Sequence, residues 1–149
     1  MTGTSKNITL LIAEDEEDDY QLVKEALEEA EFTGPLFRVK DGEELMAFLY
    51  ERNSRDIPPD SEKMLLLLDI NMPRKNGREA LREIKAHVDL RKIPVVMLTS
   101  SGGDDNIALF YELGASSFIK KPENYQQLAD FIKTFKKYWL EMAELPRVK

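Results

Sequence analysis

The run MLLLLDI, Met64 to Ile70, decides the fold. Five consecutive apolar residues without alternation describe a strand buried on both faces, which belongs in a parallel sheet covered by helices on either side. ITLLIA at 8–13 and IPVVML at 93–98 read the same way, and PLFRV at 35–39 and SSFI at 116–119 are shorter strands. Between the runs lie helical patterns at i, i+3, i+4 spacing. They are Leu22, Val23, Ala26, Leu27 and Ala30; Leu45, Phe48 and Leu49; Ala80, Leu81 and Ile84; and Leu128, Phe131, Ile132, Phe135 and Trp139. Five strand-helix repeats in about 140 residues, joined by right-handed crossovers, give an α/β fold, a three-layer α/β/α sandwich around a parallel sheet.

The bulk numbers bound the function. At 149 residues the chain is expected to be one domain, able to bury roughly two thirds of its unfolded surface without disulfide or metal staples. A net charge of -7 and the lack of any Lys/Arg-rich run speak against direct binding of nucleic acid. The absence of cysteine removes disulfides, thiolate nucleophiles and zinc-thiolate sites, in keeping with a reducing, cytoplasmic setting. The apolar runs are far too short to span a membrane, and the leading residues MTGTSKN have no hydrophobic signal region. The polar stretch Arg52–Lys63 reads as an exposed loop.

In open parallel sheets the ligand site lies beyond the carboxyl ends of the strands, where strand order reverses. Here the first strand ends in Glu14 and Asp15, the third in Asp69, the fourth in Thr99 and the fifth in Lys121, followed by Pro122. The acidic block continues through Glu16, Glu17, Asp18 and Asp19, which suit the capping and dipole of the first helix. That reading does not serve Glu14 and Asp15, because Asp69 ends the neighbouring strand. Three carboxylates in one crevice repel unless a cation joins them. Hard oxygen donors, few in number and with room for water, fit Mg²⁺ better than Ca²⁺ or zinc. Such an ion commonly shares a phosphoryl group, for which Thr99 and Lys121 supply a donor and a positive charge. Asp69 is then the natural nucleophile. Lys121 is read as a partner for phosphoryl oxygens and not as a support of the fold.

AED at 13–15, LLLLDINMPRKNG at 65–77, PVVMLTSS at 94–101 and GASSFIKKP at 114–122 together resemble the receiver domains of two-component response regulators. The resemblance covers residues 8–138 and implies a (βα)5 flavodoxin-like fold with strand order 2-1-3-4-5. Carried over residue by residue, it implies that Asp69 is the phosphoacceptor and that Glu14, Asp15, Asp69 and the backbone carbonyl of Asn71 hold Mg²⁺. Thr99 corresponds to the switch hydroxyl, Lys121 to the phosphoryl-pairing lysine and Phe118 to the aromatic switch. The resemblance also implies that Asn71 and Ser100 flank the path of the hydrolytic water and tune the lifetime of the acyl phosphate. Glu14 stands where the pattern more often has Asp, so its longer arm is expected to reach the ion through water. A cis peptide before Pro122 is also implied.

The tail KKYWLEMAELPRVK, the Arg52–Lys63 loop and LREIKAHVDLRKIPVV are similar to the small stand-alone receivers that partner phytochromes. A phytochrome-type sensor histidine kinase is therefore the expected partner. No output domain is expected after the fifth helix, and residues 139–149 read as an extension. In the fourth helix, IALFYEL at 107–113 is apolar all round, and Tyr138, Leu140, Met142 and Leu145 have no evident place inside a closed domain. These residues suggest a homodimer through the side formed by the fourth and fifth helices and the fifth strand.

The residues taken singly have plainer readings. Thr99 alone is a turn cap, Lys121 a solvated cation, Phe118 core, and the single histidine, His87, a surface residue. Three other functions fit the residues less well. An aspartyl-nucleophile phosphohydrolase pairs its nucleophile with a general acid two residues on, where this chain has Asn71. A flavin protein needs a hydroxyl- and glycine-rich loop after the first strand, where this chain is acidic. A phosphorylation-independent scaffold would not need the acceptor, acids, hydroxyl and lysine all together.

Overall fold

The structure is a computed structural model describing residues 8–52, 63–99 and 107–148. Strands β1 (Ile8–Ala13), β2 (Leu36–Val39), β3 (Lys63–Asp69), β4 (Val95–Thr99) and β5 (Ser117–Lys120) alternate with helices α1 (Glu17–Glu29), α2 (Gly42–Tyr50), α3 (Gly77–Ala86), α4 (Ile107–Glu112) and α5 (Tyr125–Phe135). The strands form one sheet in the order β2-β1-β3-β4-β5, with every pairing parallel. Most of the Arg52–Lys63 loop, Ser100 and the residues leading into α4 lie outside the described residues.

Successive strand side chains point to opposite faces, so each continuous apolar strand feeds two cores. Leu11, Leu66, Leu68 and Met97 pack with residues of α2, α3 and α4, among them Leu45, Leu81 and Phe110. Leu10, Leu65, Leu67 and Val96 pack on the other side with α1 and α5, through Val23, Leu27, Ile132 and Phe135. The register then aligns one end of the sheet: Ala13 pairs with Leu68, Asp69 with Leu98 and Thr99 with Lys120. Lys121 follows β5 directly, its backbone N–H donating to Thr99 O at 2.7 Å.

Local chemistry fixes the helix starts. Asp41 and Asn124 accept the Glu44 and Gln127 backbone N–H groups ahead of α2 and α5, and Asn76 with Glu79 forms a capping box ahead of α3. Gly77 opens α3 where a Cβ would lie 2.6 Å from Asp69 O, so the helix can approach the end of β3 only without a side chain there. α1 departs from the sequence reading. Glu17, Asp18 and Asp19 occupy its first turn, but the N-cap residue Glu16 makes no side-chain cap. Its N–H is accepted instead by Glu14 Oε2 at 3.0 Å.

Three further expectations are corrected. His87 is half-buried at the end of α3, where Nδ1 accepts the Asp89 and Leu90 backbone N–H groups at 3.0 and 3.1 Å. The Lys121–Pro122 bond is trans, since no cis peptide occurs among the described residues; trans is the isomer X-Pro bonds favour by about 0.5–1 kcal/mol. The tail is not a loose apolar strip. α5 continues as a π-helical stretch, Lys136–Met142, and Leu140 and Leu145 are only 1% and 6% exposed. Both join the core on the α1/α5 side, and Val148 joins the opposite core. Tyr138 and Met142 do remain exposed. No described helix is long and apolar enough to cross a membrane.

Candidate functional site

The shared edge of the sheet delivers its polar residues to one crevice. Glu14, Asp69 and Thr99 are each 4% exposed and, with Thr9, are the buried polar side chains among the described residues. Glu14, Asp15 and Asp69 each offer a carboxylate oxygen within 4.8 Å of the others. Lys121 Nζ reaches the same point from the end of β5. It donates to Glu14 Oε1 at 2.7 Å, to Asp19 Oδ2 at 3.3 Å and to Asp69 Oδ2 at 3.4 Å. Asp69 Oδ1 accepts the Asn71 backbone N–H at 3.3 Å, which turns the loop after β3 back over the carboxylate.

The electrostatics follow from this packing. Burial drives the Asp69 carboxyl up to about 7; Lys121 opposes the rise and the Glu14 carboxylate adds to it. Burial alone would push the Lys121 ammonium down, but the hydrogen bond to Glu14 and the charges of Asp69, Glu14 and Asp19 more than offset it, and the net shift is upward. Lys121 is therefore firmly protonated and serves as the resident cation among the acids. The donor set, three carboxylates with hard oxygens close to one another, fits a small divalent cation.

Among the expected residues, the structure gathers Glu14, Asp15, Asp69 and Lys121, with Thr99 at the end of the intervening strand β4. Asn71 lines a polar cleft of about 610 Å³ together with Asp15, Met72, Pro73, Asn76 and Arg78. Phe118 is not part of the cluster. It sits half-buried on the α4 side, its ring 5.3 Å from that of Phe110, while its backbone N–H donates to the Tyr111 hydroxyl at 3.2 Å. On α4, Phe110 is buried whereas Ile107 and Tyr111 are 48% and 49% exposed. Asp19 is the residue the sequence reading assigned elsewhere. No local sequence feature marks it, because its contact is with Lys121, 102 positions away in the chain.

Residues 10–133 match the response regulator receiver domain family, and the chain belongs to it. It is 37% identical over 137 residues to the response regulator Rcp1 of Synechocystis sp., covering 92% of each chain. The fold is similar to the crystal structure of the Mn²⁺-bound form of Rcp1, with a TM-score of 0.80 over 93% of this chain and 98% of the other. It is equally similar to the phosphorylated cyanobacterial phytochrome response regulator RcpA, at 37% identity and a TM-score of 0.81 over 93% of this chain and 97% of that one. Within the family, this chain thus resembles the phytochrome-associated response regulators.

Proposed function

We propose that this chain accepts a phosphoryl group on Asp69 from a phytochrome-type sensor histidine kinase, in a Mg²⁺-dependent reaction that it promotes on itself. The observation that carries the reading is the buried Asp69 carboxylate held between two further acids and the Lys121 ammonium. The receiver unit is residues 8–138, with 139–149 as an extension.

Glu14, Asp15 and Asp69, with the Asn71 carbonyl, are the residues to hold the ion. When bound, Mg²⁺ supplies the charge that lets the three acids stay ionised together and that neutralises phosphoryl oxygens. Asp69 in its ionised form attacks phosphorus in line, forming the O–P bond as the P–N bond to the kinase imidazole breaks. Lys121, 3.4 Å from Asp69 Oδ2, pairs with an oxygen of the transferred group. Thr99, one strand over, donates its hydroxyl to another. Water later attacks the same phosphorus and returns Asp69 and inorganic phosphate, along a path flanked by Asn71 and Ser100.

The readout is a change of the α4-β5-α5 surface. Phe118 packs on Phe110 and is tied through its backbone to Tyr111, so a movement at Thr99 and Phe118 reaches the exposed face of α4. That face serves a homodimer, in the cytoplasm and without nucleic acid or membrane. The kinase approaches at a groove of about 250 Å³ between α1 and α5, lined by Leu22, Val23, Leu128 and Phe131 and opening beside Lys121. Phosphotransfer profiling against purified histidine kinases tests the partner. Rapid transfer from a phytochrome kinase supports it, and preference for an unrelated kinase replaces it.

A further inference from the structure

Arg38 on β2 plays no part in the reaction above, yet its guanidinium is committed to the loop that carries two of the acids and to the first turns of α1 that follow it. Nε donates to the backbone carbonyl of Glu14 at 3.1 Å, Nη2 to that of Asp15 at 3.4 Å, and Nη1 to Glu17 Oε1 at 2.5 Å. The side chain is only 12% exposed, and its guanidinium carbon lies 5.0 Å from the centre of the Tyr20 ring. Val39, the next residue of β2, accepts the Glu14 N–H at 3.0 Å. Loop and first helical turn are thus pinned from β2 at Glu14, Asp15, Glu17 and Tyr20.

We propose that Arg38 is the positioning residue of the divalent-cation site. It grips the Glu14 and Asp15 carbonyls from behind, which holds both side chains at the crevice while leaving their carboxylate oxygens to the ion. The inference rests on the reading that these carboxylates hold the cation. A guanidinium is suited to the task because its planar fork places several donors on separate nitrogens at fixed angles, whereas the three donors of an ammonium radiate from one atom at the end of a flexible stem. The buried positive charge also offsets the repulsion among the acids without occupying the crevice as Lys121 does.

The sign of the effect separates this role from simple electrostatics. Removing a positive charge near a cation site strengthens cation binding if Coulomb attraction is all that matters. Loss of positioning weakens it. The test measures Mn²⁺ and Mg²⁺ affinity of the full chain by calorimetry, together with backbone amide exchange without metal. Arg38→Met is expected to weaken binding at least tenfold and to speed exchange at the amides of Glu16 and Glu17, with β3 and β4 unchanged. Arg38→Lys keeps the charge but not the fork, and is expected to recover less than half of that loss on a logarithmic scale. Binding equal to or tighter than that of the unaltered chain in either variant overturns the proposal. If Arg38→Met fails to fold, Arg38→Lys alone decides, and unaltered affinity there counts against the fork. Asp15→Asn distinguishes the two layers, because undiminished metal binding in that variant refutes the cation site itself and not the role of Arg38.

Discussion

The Lys121 ammonium lies 2.7 Å from Glu14 Oε1, joining residues 107 positions apart in the chain. Both are largely removed from water, with side-chain exposures of 16% and 5%. The sequence cast Lys121 as a group waiting for a phosphoryl oxygen. In the fold it is already at work, neutralising two buried acids.

Lys121→Ala is therefore expected to lose stability in metal-free buffer. Removing one partner of a buried pair leaves an uncompensated charge, worth about 3 kcal/mol. Added Mg²⁺ restores most of the loss by taking over the neutralisation. Chemical denaturation with and without Mg²⁺ measures this, and equal stability of variant and parent without metal shows the pair to be inert.

Asp69 makes the site sensitive to pH. Its ordinary value of 3.8 is raised to about 7 by burial, so the native state holds its proton more tightly than the unfolded chain. The stabilisation from that proton is full below about 4 and is lost as pH rises through about 7. Asp69→Asn removes this dependence. Without metal, the variant's stability relative to the parent is expected to grow between pH 4 and pH 7, by at most about 4 kcal/mol at ~1.4 kcal/mol per unit. Because the proton competes with the ion, Mg²⁺ affinity of the parent falls as pH drops below about 7. Thermal melts and metal titrations across this range check both halves.

Gly77→Ala tests the seat of Asp69. The added Cβ meets Asp69 O at 2.6 Å and Ile70 Cα at 2.8 Å, both backbone atoms with little room to yield. The expected loss is about 1–3 kcal/mol, as for other overpacked sites. Phosphorylation is expected to slow as well, because the displaced atoms carry the acceptor. A variant as stable and as reactive as the parent shows that the loop adapts freely.

Tyr111 and Ile107 are half exposed on α4 beside the tethered Phe118. If this face forms the homodimer, Tyr111→Glu shifts the light-scattering mass from two chains towards one, with or without phosphorylation. Met142→Glu, at an exposed position of the tail, reports whether the extension takes part. Truncation after Lys137 is the poorer test, because it strips Leu140, Leu145 and Val148 from the two cores. A single-chain mass for the unaltered protein in both states contradicts the dimer.

Much of the fold was legible because β1, β3 and β4 carry unbroken apolar runs, whose only stable setting is the middle of a covered parallel sheet. Their last residues then named most of the site, since parallel strands end together. What stayed hidden depends on contacts between distant segments. Asp19 looked like a helix-start acid until β5 brought Lys121 against it. Arg38 looked like one polar position in a short edge strand. Leu145 and Val148 follow the last helix without periodicity, and only docking reveals that they enter opposite cores. His87 carries no local sign that its Nδ1 caps the turn that follows.

The most direct measurement of the central claim is labelling by acetyl phosphate, followed by intact mass, of the unaltered chain and of Asp69→Asn. The unaltered chain is expected to gain one acid-labile, hydroxylamine-sensitive phosphoryl group in the presence of Mg²⁺ and none after chelation, and Asp69→Asn is expected to gain none in either buffer. Labelling that persists in Asp69→Asn, or that proceeds equally fast after chelation, contradicts the assignment of Asp69 and of the acids around it.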